Sequence, residues 1–174
     1  MKTGSLLAIQ KALDSSNVRF IVVGGIAVIA HGYLRATRDA DIVIELVPDN
    51  IQRAFSALES IGYRPSVPVS AEEFSDEENR ERWQREKGMR VLKFWSDEHR
   101  ETPLDVFIDH PFPFDEEWEK CLLDVMQDGG PASRYASIET LIEMKKEAAR
   151  PRDLDDIEHL EQILRLETDG KSTD

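Results

Sequence analysis

Asp39 and Asp41 lie two residues apart at the mouth of an apolar run, in the stretch FIVVGGIAVIAHGYLRATRDADIVIEL from Phe20 to Leu46. On a β-strand that spacing sends both carboxylates to one face, with Val43, while Ala40, Ile42 and Ile44 face the other way. Two like charges so placed repel, and burying even one unpaired carboxylate costs several kcal/mol, so the pattern asks for a cation between them. Downstream, PLDVFID repeats the device: Leu104, Val106 and Ile108 alternate with Asp105, Phe107 and Asp109, so that Asp105 rises from a second apolar strand. Three convergent acids suit hard divalent cations. Mg²⁺ accepts one or two protein carboxylates and fills its other positions with phosphate oxygens and water. Two such ions about 4 Å apart clamp an in-line phosphoryl displacement. The acids therefore point to a substrate with phosphates.

Gly24 and Gly25 supply a complementary half. A tight turn between a strand and a helix start, bare of Cβ atoms, lets backbone N–H groups approach an anion closely. A pair of glycines alone is also a simple turn, and a lone Asp-x-Asp is only a little more specific. The conjunction of a strand, Gly-Gly, Asp-x-Asp opening the next strand and Asp105 on a later one is far more specific than any part. Lys145 adds a cation. Ile138, Leu141, Ile142 and Ala149 trace the inward stripe of their helix, and Lys145 falls on it at i+7 from Ile138, where an ammonium must reach an anion or snorkel outward. A triphosphate is one such anion. Arg35 and Arg38 are nucleotide-binding candidates as neutralisers of phosphate, against the simpler reading that they pair with Asp39 and Asp41. His31 reads as the polar end of a short helix stopped by Gly32, Asp153 as an N-cap, Cys121 as buried and inert, and Trp83 and Trp95 as packing residues.

The elements that must hold these residues follow from periodicity. Ser5 to Leu13 has helical spacing and is broken by DSSN; RFIVV is a strand ended by Gly24; IAVIAH is one or two helical turns. ADIVIEL is the next strand, and Pro48 stands near the start of a helix whose stripe is Ile51, Ala54, Phe55, Leu58 and Ile61. Residues 71–87 are nearly all charged and read as a solvated helix or a mobile loop. MRVLKFW and PLDVFID form an antiparallel hairpin. A strand pair around Gly129 and Gly130 follows, although Glu116 to Asp124 also fits a helix. Two helices close the chain, one capped by Ser137 and broken by Pro151, the other starting at Asp153. The fold class is α+β, a mixed sheet flanked by helices with further helices at the C-terminus. One domain over residues 1–167, with a charged insertion at about 71–87 and a disordered tail at 168–174, accommodates all of it.

Composition narrows the partners. The chain has 174 residues, 40% hydrophobic and 33% charged, which is ordinary for a globular domain. A net charge of −13 is less ordinary, and it disfavours general DNA or RNA binding while suiting small or cationic substrates. The single Cys121 excludes an intramolecular disulfide and a cysteine-based zinc site. No apolar run approaches the roughly 18 residues of a membrane span, and no signal peptide is apparent, so the expected location is cytoplasmic.

The series VVGG, thirteen residues, DAD and then LDVF resembles the nucleotidyltransferase superfamily typified by polymerase beta. HGYLRATRDADIVI and ASIETLIEMKKEAARPRDLDDIEHL are similar to the bacterial minimal and abortive-infection-type (AbiEii-like) members. The resemblance covers most of residues 17 to 165, apart from the charged segment. It implies that Asp39 and Asp41 bind two Mg²⁺ ions, that Asp105 completes the ion activating an acceptor hydroxyl, and that Gly24 and Gly25 hold the triphosphate of an NTP. Gly25 stands where many relatives have Ser, so a hydroxyl contact to phosphate is missing, as in other Gly-Gly members. Relatives also carry a Lys at the position of Lys145. The implied reaction moves an NMP from an NTP to an acceptor hydroxyl of a small molecule, RNA or protein and releases pyrophosphate. A homodimer or partner protein fits so small a domain.

Two other classes compete. DADIV also fits the nucleophile motif of aspartate-dependent phosphohydrolases, and Asp-x-Asp occurs in metal-dependent glycosyltransferases. In both, the acids follow an apolar strand, whereas here they precede it. A catalytically silent nucleotide-binding or toxin-antitoxin partner of the same fold is the remaining alternative; its usual sign is loss of an acid, and none is lost.

Overall fold

The computed structural model describes residues 2–125 and 130–171. Helix α1 (Thr3–Ser15) buries Ile9 and Leu13, the stripe its spacing demands, and Asn17 with φ 51° turns the chain into β1 (Phe20–Val23), buried along its whole length. Helix α2 (Gly24–Ala30) begins on Gly24 itself rather than after the glycines, and His31 is its C-cap. Then come β2 (Ala40–Ile44) and α3 (Pro48–Ser60), which has Pro48 and Asp49 in its first turn and buries Ile51, Ala54 and Leu58. Strand β3 (Arg64–Pro65) precedes α4 (Ala71–Ser75) and α5 (Glu77–Lys87). Strands β4 (Val91–Trp95) and β5 (Leu104–Phe107), α6 (Phe114–Lys120), β6 (Leu122–Val125), β7 (Ala132–Tyr135), α7 (Ile138–Ala148) and α8 (Pro151–Lys171) complete the order.

Among the described residues seven strands join one mixed sheet in the order β3-β4-β5-β2-β1-β7-β6. Pairs β2–β5 and β1–β7 are parallel; β1–β2, β3–β4, β4–β5 and β6–β7 are antiparallel. The expected α+β mixed sheet with C-terminal helices is what forms, the hairpin of β4 and β5 included. Among the described residues no helix is long and apolar enough to cross a membrane.

Several local expectations are refined or corrected. The 71–87 segment is neither loose nor merely solvated: Ser70 and Glu73 form a reciprocal capping box on α4, Asp76 caps α5, and Gly88 ends it in the left-handed region. Phe74 is fully buried against Phe55 and Trp83, while buried Arg80 donates to the carbonyls of Phe74 and Ser75 at 2.7 and 3.0 Å. Two aromatic anchors and internal caps suffice where the apolar stripe alone is too thin to be read. The Glu116 to Asp124 ambiguity divides: helix to Lys120, then strand from Leu122, with Cys121 extended between them. The expected turn at Gly129 lies outside the described residues.

At the C-terminus, α8 starts at Pro151, two residues before the expected Asp153. Proline suits a first helical position, where no N–H is needed, and Asp153 reaches back to accept the Arg150 N–H at 3.0 Å instead of acting as N-cap. The helix also runs to Lys171, so residues 168–171 are helical rather than the start of a disordered tail; extending an existing helix requires no new nucleation. Trp95, expected to pack, is half-exposed on β4 near the sheet edge.

Candidate active site

Sheet register assembles the acids. Asp41 on β2 is the direct cross-strand partner of Asp105 on parallel β5, and of Val23 at the end of β1; Asp105 in turn faces Lys93 on β4. Register partners present their side chains on the same face, so Lys93, Asp105 and Asp41 form one row leading to Val23 and the start of α2. Asp39 precedes β2 by one residue and shares the Asp41 face, and the Ala40 N–H is tied to the Pro103 carbonyl at 2.9 Å.

Gly24 closes the row. Its φ is +65°, and a Cβ placed on it would sit 2.3 Å from Oδ2 of Asp41, so the carboxylate lies directly against a bare Cα. No side chain caps the start of α2. A Cβ on Gly25 would lie 2.7 Å from Oγ1 of Thr37 and 3.3 Å from the guanidinium carbon of Arg35. The space in which a Ser side chain would begin is thus already bordered by the Thr37 hydroxyl.

The electrostatics match the crowding. Burial, then the neighbouring charges of Asp105 and Asp39, push the Asp41 carboxyl up to about 6, against a smaller opposing pull from Lys145 and Arg150. Asp105 is also raised, by burial above all, while the hydrogen bond and charge of Lys93 hold it down. Acids that resist ionisation because they are buried beside one another form a site that a cation would relieve. The donors are all hard oxygens, the ligand chemistry that Mg²⁺ accepts beside phosphate oxygens and water. Among the described residues no group of three or more acid, imidazole or thiol side chains is placed to hold a metal ion.

The remaining expected residues separate. Lys145 is buried on its helical stripe as its spacing requires, yet it neither snorkels nor stands free: it donates to Oδ2 of Asp156 on α8 at 2.6 Å and lies 3.7 Å from Asp153. Arg35 pairs with that same Asp156 oxygen, not with Asp39 or Asp41. The reason is reach, since α8 packs on α7 and brings a buried acid to both cations; Tyr33 donating to Asp155 at 2.7 Å and stacking on His159 fixes the Arg35 loop against α8. Arg38 is exposed and makes no ion pair among the described residues, so the expected pairing with the Asp-x-Asp acids does not form. Inference from the sequence missed Lys93, Thr37 and Asp156. Lys93 alternates with buried Leu92 and Phe94, but its register with Asp105 has no local signature. Asp153 and Asp156, three apart on one helix soon after Lys145, were a legible signal.

Two recesses of about 450 and 400 Å³ lie elsewhere, at the C-terminal ends of β2 and β5, where Leu46 and His110 line both. Neither includes an acid of the row. Among the described residues, Asp41 and Asp105 of the row are the carboxylates whose ionisation burial opposes.

A family model described as "Nucleotidyltransferase of unknown function (DUF6036)" matches residues 5–170. No curated protein sequence matches the chain. Solved structures similar in fold include the lincomycin-bound lincosamide antibiotic adenylyltransferase LnuA, at 17% identity, covering 94% of this chain and 98% of that one, with a TM-score of 0.58. Another is ANT(2")-Ia in complex with adenylyl-2"-tobramycin, at 15% identity, 97% and 96% coverage and a TM-score of 0.56. An antigenic nucleotidyltransferase-like protein from Paracoccidioides brasiliensis aligns at 17% identity over 90% of this chain and 73% of its own, with a TM-score of 0.53.

Proposed function

This chain belongs to the DUF6036 nucleotidyltransferase family, and from that premise we propose that it is a Mg²⁺-dependent enzyme transferring an NMP from an NTP to an acceptor hydroxyl, with release of pyrophosphate. The observation that carries this reading is the register of Asp41 with Asp105, placed against the bare Cα of Gly24. Asp39, Asp41 and Asp105 are the residues to hold the metal. Mg²⁺ bound there would neutralise charge on the triphosphate and polarise the attacked phosphorus. Gly24 and Gly25 admit the phosphates to the uncapped first turn of α2. Arg35 and Lys145, both held on Asp156, add positive charge behind that turn for the phosphates, and exposed Arg38 is a further candidate partner.

In the transfer, the acceptor oxygen bonds to the α-phosphorus, the bond from that phosphorus to the bridging oxygen of the leaving group breaks, and pyrophosphate departs with the electron pair. Asp105, held above the ordinary carboxylate range by burial, is the group at hand to take the acceptor's proton. Asp39 and Asp41 stand at the start of β2 rather than beyond the end of a strand, which speaks against the phosphohydrolase reading. The net charge of −13 favours a small cationic acceptor over nucleic acid. The adenylylated tobramycin held by ANT(2")-Ia, a neighbour in fold, is an acceptor of that kind.

The test is a screen of the four NTPs with Mg²⁺ against cationic small molecules, RNA and proteins, reading pyrophosphate and the mass of the modified acceptor. Pyrophosphate with one acceptor gaining an NMP, and neither with Asp41→Asn, is the expected result. Orthophosphate alone, with an acyl-phosphate on Asp39, moves the assignment to a phosphohydrolase. Mg²⁺-dependent NTP binding without turnover on any acceptor class leaves a silent nucleotide-binding or toxin-antitoxin partner of the same fold.

A further inference from the structure

Lys93, on the strand next to β5, touches one acid of the row. Its Nζ stands 3.2 Å from Oδ1 and 3.1 Å from Oδ2 of Asp105, so one ammonium engages both carboxylate oxygens. The contact is built by the sheet: Lys93 and Asp105 are direct register partners on β4 and β5, and Asp105 and Asp41 are partners on β5 and β2. The row therefore reads cation, acid, acid. A divalent ion drawing on Asp105 needs lone pairs on the same two oxygens, and it would meet a positive charge already seated there.

The two buried-site lysines differ in what binds them. Lys145 has only 8% of its side chain exposed, and leaving Asp156 means abandoning a buried carboxylate. Lys93 has 59% exposed, so its ammonium can swing into water on a flexible four-carbon stem once an incoming cation takes over its charge on Asp105. Asp105 itself is 11% exposed and cannot follow it. The pair has one mobile member and one fixed member, which is the arrangement needed for exchanging one cation for another.

Resting on the reading of the acid row as a metal site, we propose that Lys93 is a resident counter-cation of Asp105 that competes with a divalent ion for that carboxylate. The third acid then joins the metal site only when Lys93 releases it. Asp39 and Asp41, which no lysine or arginine pairs among the described residues, take an ion first; Asp105 follows when the phosphates of the substrate add the negative charge that lets Lys93 be displaced. An arginine on a rigid fork would hold the carboxylate more tightly, whereas a neutral side chain would leave it open from the start.

The test is titration with Mn²⁺ alone, reading free ion by electron paramagnetic resonance, on the wild type and on Lys93→Met, Lys93→Arg, Lys93→Met/Asp105→Asn and Asp41→Asn. The exposed position of Lys93 lets the single variants keep the fold. Lys93→Met is expected to bind Mn²⁺ roughly three- to tenfold more tightly, or to hold one more ion, than the wild type. Lys93→Arg should not show that gain, and adding Asp105→Asn to Lys93→Met should erase it. Identical titrations for wild type and Lys93→Met, with binding still weakened by Asp41→Asn, overturn the role of Lys93 and leave the acid row standing. Mn²⁺ binding that Asp41→Asn does not alter removes the row as a metal site, and the proposal with it.

Discussion

Lys145 on α7 and Asp156 on α8 meet at 2.6 Å with both side chains withdrawn from water, and Arg35 reaches the same carboxylate oxygen from the loop ahead of the acids. One buried acid thus holds both cations, and Lys145 in turn eases the ionisation of Asp41.

Lys145→Met leaves Asp156 with Arg35 as its one strong partner. Removing one member of a buried pair costs about 3–5 kcal/mol, and the surviving Arg35 contact should lower that to roughly 2–3 kcal/mol, read as a fall in the urea midpoint. Calorimetry at a temperature where the variant stays folded should show NTP–Mg²⁺ affinity weaker by about 1.5–3 kcal/mol, the scale of a hydrogen bond to a charged group. An unchanged dissociation constant removes Lys145 from the binding site while leaving its structural role intact.

Asp41 makes stability depend on pH in the less usual direction. Its native pKa, about 6, lies above the ordinary 3.8, so between those values the folded chain holds a proton that the unfolded chain has lost, and stability falls as pH rises through the window. Asp41→Asn cannot ionise. Its advantage over the wild type should be near zero at pH 4 and grow to on the order of 1–3 kcal/mol by pH 7.5. Urea midpoints at four pH values read the gap, and a gap that stays constant with pH contradicts this account.

Gly24→Ala drives a Cβ to within 2.3 Å of the Asp41 carboxylate from a left-handed backbone. The backbone conformation alone costs about 1 kcal/mol, and the displaced carboxylate should lower any NTP turnover by at least about a hundredfold, the scale on which misplacement by about 1 Å acts. Turnover within a few-fold of wild type would mean that Asp41 is not held where the reaction needs it.

Gly25→Ser, which would add a hydroxyl beside the first turn of α2, should not help this chain. Its Cβ would meet Thr37 at 2.7 Å, so the substitution pushes on the loop carrying Arg35 and Asp39. Stability should fall by about 1–2 kcal/mol, and Thr37→Ala should recover most of it. Additive effects of the two substitutions in a double-mutant cycle would rule out the contact.

Phe74→Ala tests the charged segment. Phe74 is wholly buried against Phe55 and Trp83, so truncation should cost about 3–5 kcal/mol. A loss under about 1 kcal/mol would return residues 71–87 to the status of a solvated appendage.

Much of this architecture is legible in local spacing. The alternation in ADIVIEL and PLDVFID placed Asp41 and Asp105 on polar faces of apolar strands, and both strands form with those residues in register. The stripe Ile138, Leu141, Ile142 placed Lys145 inward, and it is buried. The 71–87 segment was harder to read, because Phe74 and Trp83 are too sparse for a periodic signal and gain their burial from Phe55, on another helix. The alternative pairing of Arg35 with Asp39 or Asp41 fails for a related reason: those acids are its neighbours in the chain, while Asp156, its partner, is 121 residues away.

By itself, the sequence determined which residues lie on one face of a strand or one stripe of a helix, because those periods are properties of the local backbone. The tertiary structure alone decided which charge each of them meets. Lys93 reaches Asp105 because β4 pairs with β5 at that register, and Asp156 takes Lys145 because α8 packs on α7. Sheet order and helix packing are set by the burial of the whole core, so no spacing within a single element encodes them.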